Sequence, residues 1–290
     1  MAEVILNDPL PLRVSAVFVS YNQAGALRRA AAALLASQNI SKDQLEIIVV
    51  DCASVDDSSR LDKEFPSLQV LRLPHHRGAA RAMNIALRTV KSELVLFLSP
   101  NVEVGPTTVA ALADALEADT ALAAVVPLLR DASGKPVPQL RKLPSGDLSE
   151  LAGGSAADPG AESVPVEFPF LDALLIRKNF MRGMNNFDER FGHSWADADL
   201  AMQARRSGKK IVLYPQIRAT LHSAPDPLEG DSLAALDRLS GAAAFIGKYQ
   251  GTGAALGFRL KTALSALVRF DFGTLSGILS GTKLDGTQAG

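Results

Sequence analysis

One stretch of the chain, residues 94 to 104, decides the fold, and it reads Leu-Val-Leu-Phe-Leu-Ser-Pro-Asn-Val-Glu-Val. Apolar residues follow one another without a break, and the run then stops at Ser99-Pro100-Asn101. An unbroken apolar run is typical of a strand that is buried on both faces of a sheet. In open α/β folds, ligands bind where such strands end. The stretch therefore predicts a central strand with a ligand site at Ser99 to Asn101.

Strands and helices alternate along the chain on both sides of this stretch. The apolar patterns predict strands at 14–19, 45–50, 70–73, 124–129 and 211–215, and helices at 25–37, 61–65, 79–90 and up to residue 118. This alternation predicts an α/β fold with right-handed crossovers and a mostly parallel sheet flanked by helices. At the carboxyl edge of that sheet, one crevice would collect the turn residues Tyr21, Asn22, Asp51, Arg81 and Asn101.

The composition and the motifs argue against several classes of protein. The chain has 290 residues, 47% of them hydrophobic, which is enough for one large or two small domains. Because 30 basic residues face 31 acidic ones, the formal charge of -1 offers nothing to attract nucleic acid. The single cysteine, Cys52, precludes an internal disulfide, and we expect an inert, partly buried thiol. No Gly-x-Gly-x-x-Gly follows the first strand and no P-loop occurs, which disfavours dinucleotide oxidoreductases and P-loop enzymes.

Two segments lie outside the strand and helix alternation. Residues 136–163 are rich in Pro, Gly, Ser and acidic residues, which predicts a mobile loop, either an acceptor-side flap or a tolerated insertion. Residues 231–290 form a predicted helical tail. Basic residues at 259, 261 and 269 surround its apolar stripe of Leu256, Leu260, Ala263, Leu264 and Leu267. This stripe fits an interfacial membrane helix, a packing helix of a homodimer, or a helix folded back on its own domain.

The start of the chain shows no targeting segment. The N-terminus lacks a basic segment followed by an apolar one, and no apolar run approaches the roughly 20 residues that cross a bilayer. We therefore expect a cytoplasmic protein, with peripheral contact at the inner face of the membrane if the tail binds lipid.

Several motifs in chain order resemble one known family. They are Val-Phe-Val-Ser-Tyr-Asn at 17–22, Val-Val-Asp-Cys-Ala-Ser-Val-Asp at 49–56, Arg-Gly-Ala-Ala-Arg-Ala-Met-Asn at 77–84, Phe-Asp-Glu-Arg-Phe at 187–191, Asp-Ala-Asp-Leu at 197–200, and His222. Together they are similar to the family-2 inverting glycosyltransferases with the GT-A fold, and among these to the bacterial rhamnosyltransferase-like members. The likeness covers roughly residues 14–222.

The resemblance implies transfer of a sugar, with inversion, from a nucleoside-diphosphate sugar to a glycan, lipid-linked or protein acceptor. It implies a transferase domain at 1–230, with a nucleotide-binding half at about 12–130 and an acceptor-side half at about 164–225. Asp197 would be the catalytic base, while Asp199 is expected to cap the same helix. Trp195 is either a sugar-stacking platform or a core aromatic. The residues implied to bind the nucleotide sugar are Tyr21, Asn22, Asp51, Gly78, Arg81, Asn84, Ser99 and Asn101.

Two departures from the family pattern bear on the chemistry. Asn101 stands where the family has a metal-binding Asp, and Ala196 replaces a Glu beside the base. An amide brings no negative charge, so affinity for Mn²⁺ or Mg²⁺ should fall. One alternative is a metal bound weakly through Asn101 and His222 with help from Glu103 and the diphosphate, and a second is its replacement by cations such as Arg81 or His76. The third alternative is a catalytically impaired sugar-nucleotide-binding or scaffold protein of a polysaccharide assembly pathway.

Overall fold

The strand at 94–98 is the centre of a single sheet in the computed structural model, which describes residues 11–141, 154–169, 171–191, 195–222, 232–268 and 272–280. The strands are β1 Val14–Ser20, β2 Leu45–Asp51, β3 Leu68–Arg72, β4 Leu94–Leu98, β5 Val102–Val104, β6 Leu122–Arg130, β7 Val164–Pro165, β8 Ala173–Arg177 and β9 Lys210–Leu221. The helices are α1 Ala24–Leu35, α2 Leu61–Glu64, α3 Ala79–Thr89, α4 Thr108–Ala118, α5 Lys178–Gly183, α6 Ala196–Arg206, α7 Ser232–Tyr249, α8 Thr252–Val268 and α9 Phe272–Ser280.

The order of the strands in the sheet confirms the mostly parallel α/β fold. Within the described ranges the order is β3-β2-β1-β4-β8-β6-β9-β5, and β7 pairs with β9. Strands β1, β2, β3, β4, β6 and β9 run in one direction, whereas β5, β7 and β8 run in the other. Strand β4 is therefore parallel to β1 on one side and antiparallel to β8 on the other.

The sheet has an apolar core on each face, and β4 contributes to both. Val95 and Phe97 pack into one core, while Leu94, Leu96 and Leu98 pack into the other. Successive side chains of a strand point to opposite faces, so a strand covered on both faces must be apolar throughout. This packing is the physical reason for the unbroken apolar run in the sequence.

The first helix of the tail, α7, packs against the rest of the fold. In α7 the side chains of Ala242 and Phe245 belong to the same core cluster as β4. The Phe245 ring lies 5.4 Å from the Trp195 ring and 6.3 Å from the Phe191 ring, measured between centroids. Trp195 is thus a core aromatic with 6% exposure, and α7 shares the core of the domain.

The flanks of the predicted mobile loop are packed against the sheet, whereas residues 142–153 lie outside the described part of the chain. The Gln139 side chain is buried, accepts a hydrogen bond from the backbone of Leu129, and donates one to the carbonyl of Pro127. Leu140 forms a bridge with Ser155, and Ala157 is buried. The described residues on both sides of 142–153 are therefore packed parts of the fold, in contrast to the mobile loop that the composition predicts.

The central strand sets a stability test. Leu96 is fully buried, so Leu96→Ala should lower the free energy of unfolding by about 2–5 kcal/mol through lost apolar contacts and a cavity. Urea unfolding followed by circular dichroism measures the change. The control is Val55→Ala, whose side chain is 94% exposed and should change stability by no more than about 0.5 kcal/mol. Equal effects of the two substitutions would contradict the central position of β4.

Candidate active site

The turns after β1 and β2 interlock through Asn22. Its backbone N–H donates to Ser54 Oγ at 2.9 Å, and its side-chain Oδ1 accepts from the Val55 N–H at 2.9 Å. Asn22 has φ 52°, a left-handed conformation that asparagine adopts more readily than most residues. Both contacts fix the relative position of the two turns, so Asn22 shapes this edge of the sheet through its bonds to the second turn.

Asp51, the last residue of β2, carries a buried oxygen that has no hydrogen-bond partner within the described part of the protein. The residue is 2% exposed, and its Oδ2 accepts from the Ser54 N–H at 3.2 Å. Its Oδ1 is buried and has no hydrogen-bond partner. A buried carboxylate oxygen without a partner is costly, which is the expected state of a ligand acceptor before the ligand arrives. A base N–H or a ribose hydroxyl would satisfy it.

Tyr21 and the start of α3 form the next part of the same edge. The Tyr21 ring meets the His76 ring edge to face, with centroids 4.9 Å apart. Gly78 precedes α3 with φ 77°, a conformation that favours glycine, and its N–H donates to His76 Nδ1. Arg81 lies in the first turn of α3, half exposed and 3.8 Å from Glu189. The unpaired N–H groups of a helix N-terminus, with an arginine beside them, suit an anion such as a diphosphate.

Asn84, one turn further along α3, is engaged within the protein. Its Nδ2 donates to the Phe187 carbonyl at 2.8 Å and to Glu189 at 3.2 Å, and its Oδ1 accepts from the Phe187 N–H at 3.0 Å. The side chain is 6% exposed. Asn84 therefore joins α3 to the segment that contains Phe187 and Glu189, and its amide reaches a ligand only if these bonds break.

The end of β4 brings together Asn101, His222 and Glu103, the three residues that the sequence suggests for a metal. We call this group the metal corner. The Asn101 N–H donates to Ser99 Oγ at 3.3 Å, and the Asn101 carbonyl accepts from the His222 N–H at 2.9 Å. His222 Nε2 lies 2.7 Å from Glu103 Oε2. Asn101 Oδ1 is buried without a hydrogen-bond partner.

These side chains offer few ligands for a metal cation. Over the ranges described, no three His, Cys, Asp or Glu side chains are grouped so as to hold a metal ion. The unpartnered Asn101 Oδ1 is nevertheless an oxygen ligand that a hard cation accepts, and the Glu103 carboxylate is joined to the same strand end through His222. The residues therefore fit a divalent cation weakly, with most of its ligands left to a bound diphosphate and water.

Asp197 lies in the first turn of α6 and is partly buried. Its Oδ1 accepts from the Ala198 N–H at 2.9 Å. Burial, with a smaller contribution from the neighbouring Asp172 carboxyl, raises the pKa of the Asp197 carboxyl to about 6, although the backbone N–H groups of Ala198 and Asp197 and the Arg141 guanidinium lower it. A carboxylate whose pKa lies just below neutral pH remains mostly ionised and is more basic than an exposed one.

Asp172 and Arg141, which flank Asp197, were not predicted from the sequence. The Asp172 carbonyl accepts from the Ser99 N–H at 2.7 Å, which joins the end of β4 to the start of β8. Burial raises the pKa of the Asp172 carboxyl and lowers that of the Arg141 guanidinium. The available signal was a carboxylate directly before an apolar strand. Its meaning depends on β8 being antiparallel to β4, which the sequence does not reveal.

Two minor predictions have opposite outcomes. Cys52 is buried, and burial raises the pKa of its thiol to about 12, so it is an inert thiol as predicted. The prediction that Asp199 caps α6 is wrong. The N-cap position is Trp195 without a side-chain bond, and the Asp199 carboxylate instead contacts Lys248 and Tyr249 of α7. A tertiary ion pair has replaced a local cap.

Comparison with known proteins identifies the family. Residues 15–158 match the family model described as glycosyl transferase family 2. Two relatives from Mycobacterium tuberculosis, from strains CDC 1551 / Oshkosh and ATCC 25618 / H37Rv, are named N-acetylglucosaminyl-diphospho-decaprenol L-rhamnosyltransferase. Each is 23% identical over 248 residues, covering 76% of this chain and 78% of the relative.

Solved structures resemble the fold closely enough to define it. GalNAc-T7 with UDP, GalNAc and Mn²⁺ superposes with a TM-score of 0.64 at 16% identity, covering 82% of this chain and 48% of GalNAc-T7, so this chain spans about half of that length. The mannosyltransferase PcManGT from Pyrobaculum calidifontis, with GDP-Man and Mn²⁺, gives 0.59 at 16% identity over 95% and 87% of the two chains. TarS 1-349 from S. aureus, with UDP-GlcNAc, gives 0.59 at 17% over 93% and 82%.

The fold is the GT-A fold of these solved structures. The chain belongs to glycosyltransferase family 2.

The sparse metal corner sets a binding test. Asn101→Asp should strengthen Mn²⁺ binding about tenfold or more, because a unit charge beside the ion contributes a few kcal/mol before desolvation is subtracted. Isothermal titration with Mn²⁺ in the presence of a nucleoside diphosphate measures the affinity. Asn39→Asp, which adds the same charge at an exposed left-handed position, is the matched control. Identical Mn²⁺ affinities for the wild type and Asn101→Asp would remove Asn101 from the metal corner.

Proposed function

We propose that this glycosyltransferase moves a sugar from a nucleoside-diphosphate donor to an acceptor hydroxyl with inversion, and that Asp197 is the base. The observation that carries the proposal is the state of Asp197, a partly buried carboxylate whose pKa is raised to about 6. It interacts with Asp172, whose carbonyl is bonded to Ser99 at the end of β4. Asp197, the candidate base, is thus connected through Asp172 to the end of β4, where the diphosphate would bind.

The donor would be held by three features of that edge. Asp51 Oδ1 would accept a hydrogen bond from the base or ribose, and the Tyr21 ring offers an apolar face beside it. The N-terminus of α3, with Gly78 and Arg81, would face the diphosphate. Ser99 and Asn101 complete the site on the β4 side. Asn22 and Asn84 would position these groups, since their side chains are bonded to the protein.

The transfer step follows from the position of the base. Asp197 takes the proton of the acceptor hydroxyl as that oxygen forms a bond to the anomeric carbon. The bond between the anomeric carbon and the donor's diphosphate oxygen breaks on the opposite side, and the nucleoside diphosphate leaves with the electron pair. Because the pKa of Asp197 is about 6, most molecules carry the ionised base at pH 7.

We propose a divalent cation as a weakly held cofactor. The structures of GalNAc-T7 and PcManGT contain Mn²⁺, which supports this class of cofactor for the present chain. Asn101 Oδ1 would be its protein ligand, with His222 and Glu103 adjacent. When bound, the cation would neutralise charge on the leaving diphosphate. Arg81 would share this task from the first turn of α3.

The acceptor is proposed to be a lipid-linked glycan. The name of the mycobacterial relatives, N-acetylglucosaminyl-diphospho-decaprenol L-rhamnosyltransferase, describes transfer of a deoxyhexose to such an acceptor. We assign donor recognition to residues 12–130, acceptor recognition to 164–225, and membrane contact to the tail from residue 231. In the part of the chain that the structure describes, no helix is long and apolar enough to cross a bilayer, so this contact would be made at the surface.

The outer face of α8 supports contact with an anionic lipid surface. Leu256, Leu260, Leu264 and Leu267 are 48–63% exposed, and their spacing places them on one side of the helix. At about 100° per residue, Arg259 and Lys261 fall on opposite borders of this leucine stripe. An apolar stripe flanked by cations is typical of helices that lie in the membrane interface.

The charges on the tail favour a membrane over a second copy of the chain. The sequences of α8 and α9 contain no Asp or Glu, whereas α8 carries Arg259 and Lys261. A symmetric dimer through α8 would therefore bring like charges together without an acidic partner on these helices. Anionic headgroups would instead neutralise them.

The catalytic proposal is tested by Asp197→Asn. The amide cannot accept the acceptor proton, so turnover should fall about 100- to 10,000-fold while donor binding is retained. In the wild type, kcat/KM should decline below pH 6, because protonation of Asp197 removes the base. A radiolabelled-sugar transfer assay measures turnover, and a thermal-shift assay with nucleoside diphosphates measures binding.

Asp43→Asn, at an exposed position in the short 3₁₀ turn Lys42–Gln44 before β2, is the control for this test and should leave turnover unchanged. If Asp197→Asn transfers sugar at the wild-type rate, Asp197 is not the base. Binding of a nucleoside diphosphate by the wild type without any transfer would instead support the sugar-nucleotide-binding alternative.

The membrane proposal is tested with vesicles. The double variant Leu260→Asp/Leu264→Asp should lose most of its co-sedimentation with vesicles containing phosphatidylglycerol, because charged side chains replace the centre of the leucine stripe. Val55→Asp places the same change at an exposed position outside the tail and should bind as the wild type does. Equal sedimentation of all three proteins would contradict the lipid contact. A wild-type dimer in light scattering that the double variant abolishes would favour self-association.

A further inference from the structure

The helix that carries Asp197 begins with a strained residue. Trp195 directly precedes α6 and has φ 76° and ψ -4°, a left-handed conformation that is rare for a bulky residue. Such conformations persist where the surrounding structure holds them in place. Helix α7 makes two contacts that hold Trp195 in place. The indole Nε1–H donates to the Arg238 carbonyl at 2.9 Å, and the ring packs on Phe245.

A second set of contacts from α7 lies on the other side of Asp197. The Asp199 carboxylate is almost fully buried, and its Oδ1 lies 2.7 Å from Lys248 Nζ and accepts a hydrogen bond from the Tyr249 hydroxyl. Lys248 Nζ also lies 3.0 Å from Asp188 Oδ2. Lys248 therefore connects the last turn of α7 both to the first turn of α6 and to the segment that precedes it.

Asp197 itself depends on the backbone for its orientation. Its carboxylate accepts from the N–H of the next residue, Ala198, and the first turn is closed by the Asp199 N–H bonding to the Trp195 carbonyl at 3.0 Å. A shift of Trp195 or Asp199 would therefore move the Asp197 carboxylate with the turn. A further contact joins α6 to α7. The Arg206 guanidinium at the end of α6 lies over the Tyr249 ring, 4.6 Å from its centroid.

We propose that α7 acts as a clamp that positions the catalytic base, through Trp195 on one side of Asp197 and through Lys248 and Tyr249 on Asp199 on the other. Lys248 and Tyr249 are positioning residues, because they reach Asp197 only through the first turn of α6. This proposal rests on the proposed function, in which Asp197 is the base.

The clamp is tested by Tyr249→Phe, which removes only one hydroxyl, and by Lys248→Met, which removes the cation. Each should lower kcat by about 10- to 100-fold, the effect of a displaced reacting group, while the donor KM changes less than about twofold. Lys248→Arg should recover part of the lost kcat. Matched controls are Tyr214→Phe on β9 and Lys63→Met, an exposed residue of α2, and both should behave as the wild type.

A spectroscopic readout is available that does not require catalysis. Trp195 is the single tryptophan of the chain, so tryptophan emission, excited at wavelengths where tyrosine does not absorb, reports on Trp195 alone. Both clamp variants should shift the emission to longer wavelength and increase quenching by acrylamide, whereas the two controls should not. Thermal unfolding of each variant gives the fraction folded, to which kcat is normalised.

The outcomes separate the clamp from the base. Normalised kcat within about twofold of the wild type in both clamp variants, or unchanged Trp195 emission, would overturn the clamp. A fall in kcat matched by an equal loss of donor affinity would also overturn it, because it would indicate general loosening of the domain. Wild-type turnover in Asp197→Asn would overturn the proposed base, and the emission spectra would still show whether α7 holds Trp195.

Discussion

The antiparallel pairing of β8 with β4 is the constraint on which the site depends. Because β8 begins where β4 ends, the carboxyl end of the central strand meets the residue that precedes β8, and the Ser99 N–H bonds to the Asp172 carbonyl. If β8 ran parallel to β4, Asp172 would lie about 16 Å away at the opposite edge, the length of five strand residues. The reversal therefore brings Asp172, and through it Asp197, to the edge of the sheet where β4 ends.

Polar groups at this edge are of two kinds, and the difference explains how the site is built. Asn22 and Asn84 have their side chains bonded to neighbouring segments, and they hold the turns in place. Asp51 Oδ1 and Asn101 Oδ1 are buried without partners, which costs the folded protein about 1–3 kcal/mol each. A sheet with an apolar core on both faces can tolerate that cost. A ligand that supplies an N–H, a hydroxyl or a cation would recover it.

The α/β architecture was predictable because it follows from local patterns. The apolar runs of β1, β2 and β4 and the helices between them are visible in the sequence, and so are the turn residues that follow each strand. The direction of β8 was not predictable, since an apolar strand reads the same either way, and Asp172 was missed for that reason. The contact of Asp199 with α7 was missed because long-range ion pairs leave no local pattern, so the residue was mistaken for a helix cap. Arg141 lay within a segment whose composition predicted a loop.

Because α7 shares the core of the sheet domain, the folded unit extends further along the chain than the family motifs do. Every motif that resembles the family lies before residue 223, and the family match ends at residue 158, yet Phe245 is buried among the residues that support α6. A shortened chain that ends after His222 would keep every donor-side group, from Tyr21 to Asn101. Such a chain would nevertheless lose the Phe245 ring that packs on Phe191 and Trp195, so the apolar core extends further along the polypeptide than the family motifs do.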